Sequence, residues 1–172
     1  MNDYIEVMVI VEGKTEEIFV ESIVIPYLAK KNIFMHATKA KVIESFAEQR
    51  AAERFIPFIA VHEFEALLFS NTEILSKQLG IKISQIEEVL TTCGEPEAIN
   101  NSPQTAPSKR LDLWSKGGKF PKTTTGIAVA KEIGIKQIRQ KCPVFNSWLE
   151  KLEKLKPLIL CIFTSLIINQ CY

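Results

Sequence analysis

The chain has 172 residues, of which 47% are hydrophobic, and its 21 Lys and Arg nearly cancel its 20 Asp and Glu for a net charge of +1. This length suits one domain with at most a small helical appendage. The charge balance excludes a global basic field for nucleic acid, so any polyanion contact is local, at Lys39 and Lys41, Lys109 and Arg110, or Lys116, Lys119 and Lys122.

The four cysteines (Cys93, Cys142, Cys161, Cys171) contain no C-x-x-C pair, and His36 and His62 make no zinc spacing with them. A disulfide framework and a structural zinc are therefore not expected, and free thiols point to a cytoplasmic protein. Asp3 and Glu6 lead straight into a strand, so no signal peptide is expected.

The first element is the aliphatic run Ile5 to Val11, a strand buried on both faces, which stops at Glu12-Gly13-Lys14-Thr15. Gly13 allows a sharp turn, and Thr15 is the expected cap of a helix from Glu16 to Lys31, bent or stopped early at Pro26. A second strand is expected over Ile33 to Lys41 and a short amphipathic helix over Val42 to Arg54. The apolar run Phe55 to Val61 reads as a further strand, at an edge or beginning near Pro57, and ends on His62-Glu63-Phe64-Glu65 before a helix over Ala66 to Phe69.

The second half reads as short helices: Thr72 to Leu79, Ser84 to Leu90 with Ser84 as cap, Lys109 to Trp114 capped by Ser108, Ile127 to Ile133 and Ile135 to Lys141 on either side of Gly134, and Val144 to Lys156. Asn100 to Pro107 is a loop, and Lys116 to Gly126 is the most basic and flexible stretch. The apolar run Leu158 to Ile168 is too short to span a bilayer and reads as a core element or an exposed end, so no membrane association is expected.

Two strands thus deliver carboxylates at their C-terminal ends, Glu12 from the first and Glu63 or Glu65 from the later one, where open α/β sheets bind ligands. Such oxygen donors suit Mg²⁺, with the ion activating a phosphoryl group. Glu63 and Glu65 share a face only if their segment is extended. Lys122 is the candidate phosphate contact, against the plain alternative of a solvated loop lysine. His62 is more simply a hydrogen-bonded structural histidine. Gly13-Lys14-Thr15 lacks the first glycine of a phosphate loop, since Met8 stands there. Trp114 and Trp148 fall at helical spacing from Leu111 and Leu152 and read as core.

The opening Val9-Ile10-Val11-Glu12-Gly13-Lys14-Thr15-Glu16 resembles the first motif of Toprim domains, in which the first-strand glutamate is a general acid/base or metal ligand. Arg54 to Phe58, His62 to Phe69, Glu97 to Asn100, Thr105 to Arg110, and Cys142 to Phe145 with Trp148-Leu149 resemble a bacterial domain-of-unknown-function family of the Toprim-like group, numbered forty-two seventy-six. The resemblance implies an α/β fold: a shortened Toprim-like (Rossmannoid), mainly parallel sheet with flanking helices, followed by a helical C-terminal half. In domain terms it implies a truncated core over 1–70, a helical part over 71–156 packed on the same domain, and an atypical apolar tail over 157–172.

The interval 42–54 contains no aspartate, so the second acidic motif of Toprim domains is missing, as if by internal deletion. Two functions compete. One is Mg²⁺-dependent, nuclease-like phosphoryl transfer on nucleic acid, with Glu12 and Glu65 as metal ligands or acid/base, Glu63 as a further ligand and Lys122 on the phosphate. The other is a catalytically degenerate binding or interaction protein. A chain left only marginally stable by the loss of a central strand is a third expectation.

Overall fold

The computed structural model describes residues 5–39, 55–60, 63–99, 102, 104–155 and 162–168. The helix expected over 42–54, Lys41 and His62 lie outside the described residues. The chain divides into two compact units, one of residues 1–59 and 147–167, the other of residues 60–146 and 168–172.

In the first unit, strand β1 (Ile5–Val11) pairs in parallel with β2 (Ile33–Lys39), Val7 opposite Met35 and Val11 opposite Lys39. Val7, Val9 and Val11 are fully buried and Ile10 nearly so, while Glu6 is exposed and Met8 half-buried, so the strand is covered on both faces only toward its C-terminal end. The strand order is β2-β1-β4-β3, where β3 is Phe55–Ala60 and β4 is Ile162–Ile168. The apolar tail segment is thus a strand, parallel to β1, with Val7 opposite Ile162 and Val11 opposite Leu166.

Between β1 and β2 the chain is helical from Lys14 to Ala29: α1 (Lys14–Phe19), a wider π turn over Val20–Val24, and α2 (Ile25–Ala29) with Pro26 in its first turn. Proline has no N–H to give, and the π turn before it reorganises the backbone bonding at that point. The N-cap is Gly13, with no side-chain cap bond, and Thr15 lies inside the helix instead of capping it.

Phe19, Val20, Val24 and Leu28 are buried in this unit, as are Trp148, Leu149 and Leu152. These last three belong to helix Pro143–Glu153, whose Glu153 accepts a 2.7 Å hydrogen bond from the Tyr27 hydroxyl and lies 3.7 Å from the Lys31 ammonium.

The second unit is helical. Its centre is a 3₁₀ helix, Phe64–Ser70, with all seven residues buried. Around it run α3 (Thr72–Leu79), α4 (Ile83–Cys93), α5 (Pro107–Trp114) and α6 (Ile127–Lys141); Pro143–Glu153 is α7. Asn71 caps α3 by accepting the Ile74 N–H, and Gly80 ends it in the left-handed region at φ 68°. At the start of α4 the N-cap is Lys82, two residues before Ser84, and Gln85 reaches back to accept its N–H. Gly134, at φ 76° and ψ 150°, kinks α6. Lys122–Gly126 forms a single π turn.

The expected shortened Toprim-like (Rossmannoid), mainly parallel sheet is corrected by this architecture. Helical segments hold about three times as many described residues as strands do, and among the described residues none from 63 to 153 belongs to a strand. Local acidic strand-end motifs overstated the sheet, because the larger share of buried side chains comes from helices that pack on one another.

Candidate functional site

The 3₁₀ helix begins beside two of the predicted ligands. Glu63 is its extended N-cap residue, and its carboxylate reaches a distant helix start: Oε2 accepts the Ser108 N–H at 2.7 Å and Oε1 the Ser108 hydroxyl at 2.8 Å. Helix α5 opens with Pro107 and has no side-chain cap of its own, so its free N–H groups need an acceptor from elsewhere. Glu97 does the same for α7, which opens with Pro143: it accepts the Val144 N–H at 2.8 Å and the Phe145 N–H at 2.9 Å. A carboxylate at the positive end of a helix dipole is favoured on both counts.

Glu65, in the first turn of the 3₁₀ helix, is 2% exposed, and its Oε1 lies 2.6 Å from the Lys122 ammonium. Burial pushes the Glu65 carboxyl above its ordinary value, while the lysine charge opposes the rise. Burial pulls Lys122 down, but Glu65, Glu63 and Asp112 outweigh it and hold the ammonium above the usual lysine range. Lys122 is brought there by the π turn it begins, and Gly126 at the other end packs where a Cβ would meet the Phe64 and Phe120 rings at 3.3 Å. Asp112 closes the preceding loop by accepting the Phe120 N–H at 2.7 Å.

Glu12 is exposed and belongs to the other unit, as do Lys14 and Glu16. The Lys14 ammonium is 2.9 Å from Glu17, and the Glu16 carboxylate lies so close over Gly13 that a Cβ there would be 2.6 Å from its Oε2.

The helical unit also carries a groove of about 510 Å³ that the sequence did not point to. Its apolar surface comes from Phe69, Leu90 and Pro96, and its charged groups are Glu73, Glu95 and Lys141. Among the described residues no hydrogen bond or ion pair engages these three side chains. Gln137, also on its wall, donates to the Ser70 carbonyl at 3.2 Å. Beneath, the Ser70 hydroxyl is 3.3 Å from the Cys142 sulfur. Helix α4 ends at this groove with no basic residue in its last turn. The acidic turn Gly94-Glu95-Pro96-Glu97 was the available signal, since a glycine at a helix end followed by an acid places negative charge at a negative dipole end.

A family model for a domain of unknown function, DUF4276, matches residues 39–153, about two thirds of the chain. The chain belongs to this family. No curated protein and no solved structure matches the chain. The DUF4276 segment contains Glu63, Glu65, Ser108 and Lys122 as well as the groove, and begins after Glu12.

The Toprim-like reading placed on this DUF4276 chain, with its Mg²⁺-dependent nuclease function, is corrected. The fold is helix-dominated, and among the described residues no group of three or more His, Cys, Asp or Glu is gathered to hold a metal. Glu63 and Glu65 as arranged do not fit a shared divalent ion: Ser108 takes both oxygens of the first, and an ammonium faces the second. Among the described residues no helix is long and apolar enough to cross a membrane.

Proposed function

We propose that this protein is a binding protein for a ligand bearing a primary amine on an alkyl body, held in the groove beside α3, α4 and α6. The observation that carries this reading is the convergence of Glu73, Glu95 and the uncompensated C-terminal end of α4 on one groove. Each such charge or dipole end contributes about 0.3–1 kcal/mol toward a cation near the surface. Among the described residues Lys141 is the single positive group on the wall, and it sets a preference against a second cation close by. Phe69, Leu90 and Pro96 offer the alkyl portion an apolar bed.

A ligand held by a few partly solvated contacts binds weakly, on the order of millimolar for the amine alone. Calorimetric or NMR titration with n-butylamine against n-butanol is the test. The amine is expected to bind, the alcohol not, and Glu95→Gln to weaken the amine. Equal binding of amine and alcohol, or amine binding indifferent to Glu95→Gln and Glu73→Gln together, sinks the reading.

A further inference from the structure

A second cleft, of about 290 Å³, is lined by Gln85, Glu88, Val89 and Thr92 from α4 and by Arg110 and Trp114 from α5. The helical spacing accounts for its walls: residues three, four and seven apart share one face of α4, and residues four apart share one face of α5.

Arg110 is fastened at one end. Its Nε donates to the Thr105 carbonyl at 2.8 Å, and among the described residues no hydrogen bond or ion pair engages its terminal nitrogens. Glu88, on the facing helix, makes no ion pair with it or with any other described residue, and its backbone carbonyl accepts the Thr92 hydroxyl at 2.8 Å. The cleft therefore holds two opposite charges that stand apart from each other. Trp114 is half-buried, with Phe69 packed against it at 6.0 Å between ring centroids.

A lone anion in this cleft would face Glu88, and a lone cation would face Arg110. A zwitterion satisfies both. The volume falls just below the roughly 300–1,000 Å³ typical of ligand pockets, which suits a molecule no larger than an amino acid. We propose that the cleft binds a free α-amino acid with an aromatic or large apolar side chain. The terminal N–H groups of Arg110 take the carboxylate as a charge-assisted pair, Glu88 takes the ammonium, and Trp114 and Val89 cover the side chain.

The chain has two tryptophans, and Trp148 is 2% exposed, so a ligand-induced change in fluorescence reports Trp114. The full chain is titrated with L-phenylalanine, N-acetyl-L-phenylalanine and phenethylamine. L-Phenylalanine is expected to give a saturable change, with each analogue, lacking one charge, at least about tenfold weaker. Glu88→Gln removes an exposed carboxylate with no structural bond and is expected to abolish the preference for the free over the acetylated amine. Arg110→Lys also loosens the Thr105 contact, so its fold is checked by circular dichroism. No saturable change up to the solubility of the amino acid, equal binding of all three ligands, or an unchanged preference in Glu88→Gln overturns the proposal. The groove is separated by Glu95→Gln, which leaves the Trp114 response unaltered if the two sites are distinct.

Discussion

Both carboxylate oxygens of Glu63 are occupied by one residue, Ser108, through its amide at 2.7 Å and its hydroxyl at 2.8 Å. This contact joins the start of the 3₁₀ helix to the start of α5 across 45 positions of sequence. A helix that opens with proline and lacks a cap of its own depends on such a partner.

Glu63→Ala is therefore expected to lower stability by about 1–2 kcal/mol, the usual cost of a lost N-cap. Urea or thermal unfolding measures it. Glu97→Ala is expected to act in the same way at α7, where it caps Val144 and Phe145. A melting curve unchanged by either substitution would show the bond to be incidental.

Lys122 compensates a buried charge, so Lys122→Met is expected to destabilise strongly, by about 3 kcal/mol near neutral pH, because Glu65 is left buried and unpaired. Glu65→Met with Lys122→Met is expected to recover most of that loss. The pH dependence has a definite sign. Burial raises the folded carboxyl of Glu65 above its ordinary 4.5, so its contribution is fully present below that value and is lost as pH rises through the raised one. Without the opposing lysine charge the rise is larger. The gap between parent and Lys122→Met therefore widens upward from pH 4.5, and a gap that narrows instead would refute the assignment.

Cys142 is buried against Ser70, and burial pushes its thiol up to about 12. The thiolate is the reactive form, so iodoacetamide at pH 8 is expected to leave Cys142 unmodified in the folded protein and to label it only after denaturation. Peptide mass spectrometry reads the outcome directly.

Gly134→Ala is expected to cost about 1–3 kcal/mol, since φ 76° with ψ 150° is a region that glycine alone adopts freely. There is open space where the Cβ would go, so the loss is backbone strain. A melt as stable as the parent would mean that the helix straightens instead.

Much of the local structure was legible. The apolar run Ile5 to Val11, broken only by Glu6, does form a strand, buried on successive positions from Val9 to Val11, and Gly80 and Gly134 fall where helices end or bend, whereas the helical segment continues through Pro26 after a π turn. Those signals are carried by backbone preferences of one or two residues. The roles of Ser108, Lys122 and Glu97 were not legible in that way. Each depends on a partner tens of residues distant, and a glutamate that caps a remote helix looks in sequence like one that binds a metal. The tail strand was ambiguous for a related reason: an aliphatic run of this length fits a helix or a strand, and only its neighbours decide which.

The pairing of β4 with β1 determines when the second edge of β1 can be closed. Val7 meets Ile162, about 155 residues later in the chain. While the ribosome is at work, β1 has β2 on one side and an open row of backbone donors and acceptors on the other, until β4 has emerged. The residues that build the helical unit, 60 to 146, leave the ribosome before that edge is closed. The nascent protein thus carries an open edge on β1 throughout the synthesis of the helical unit.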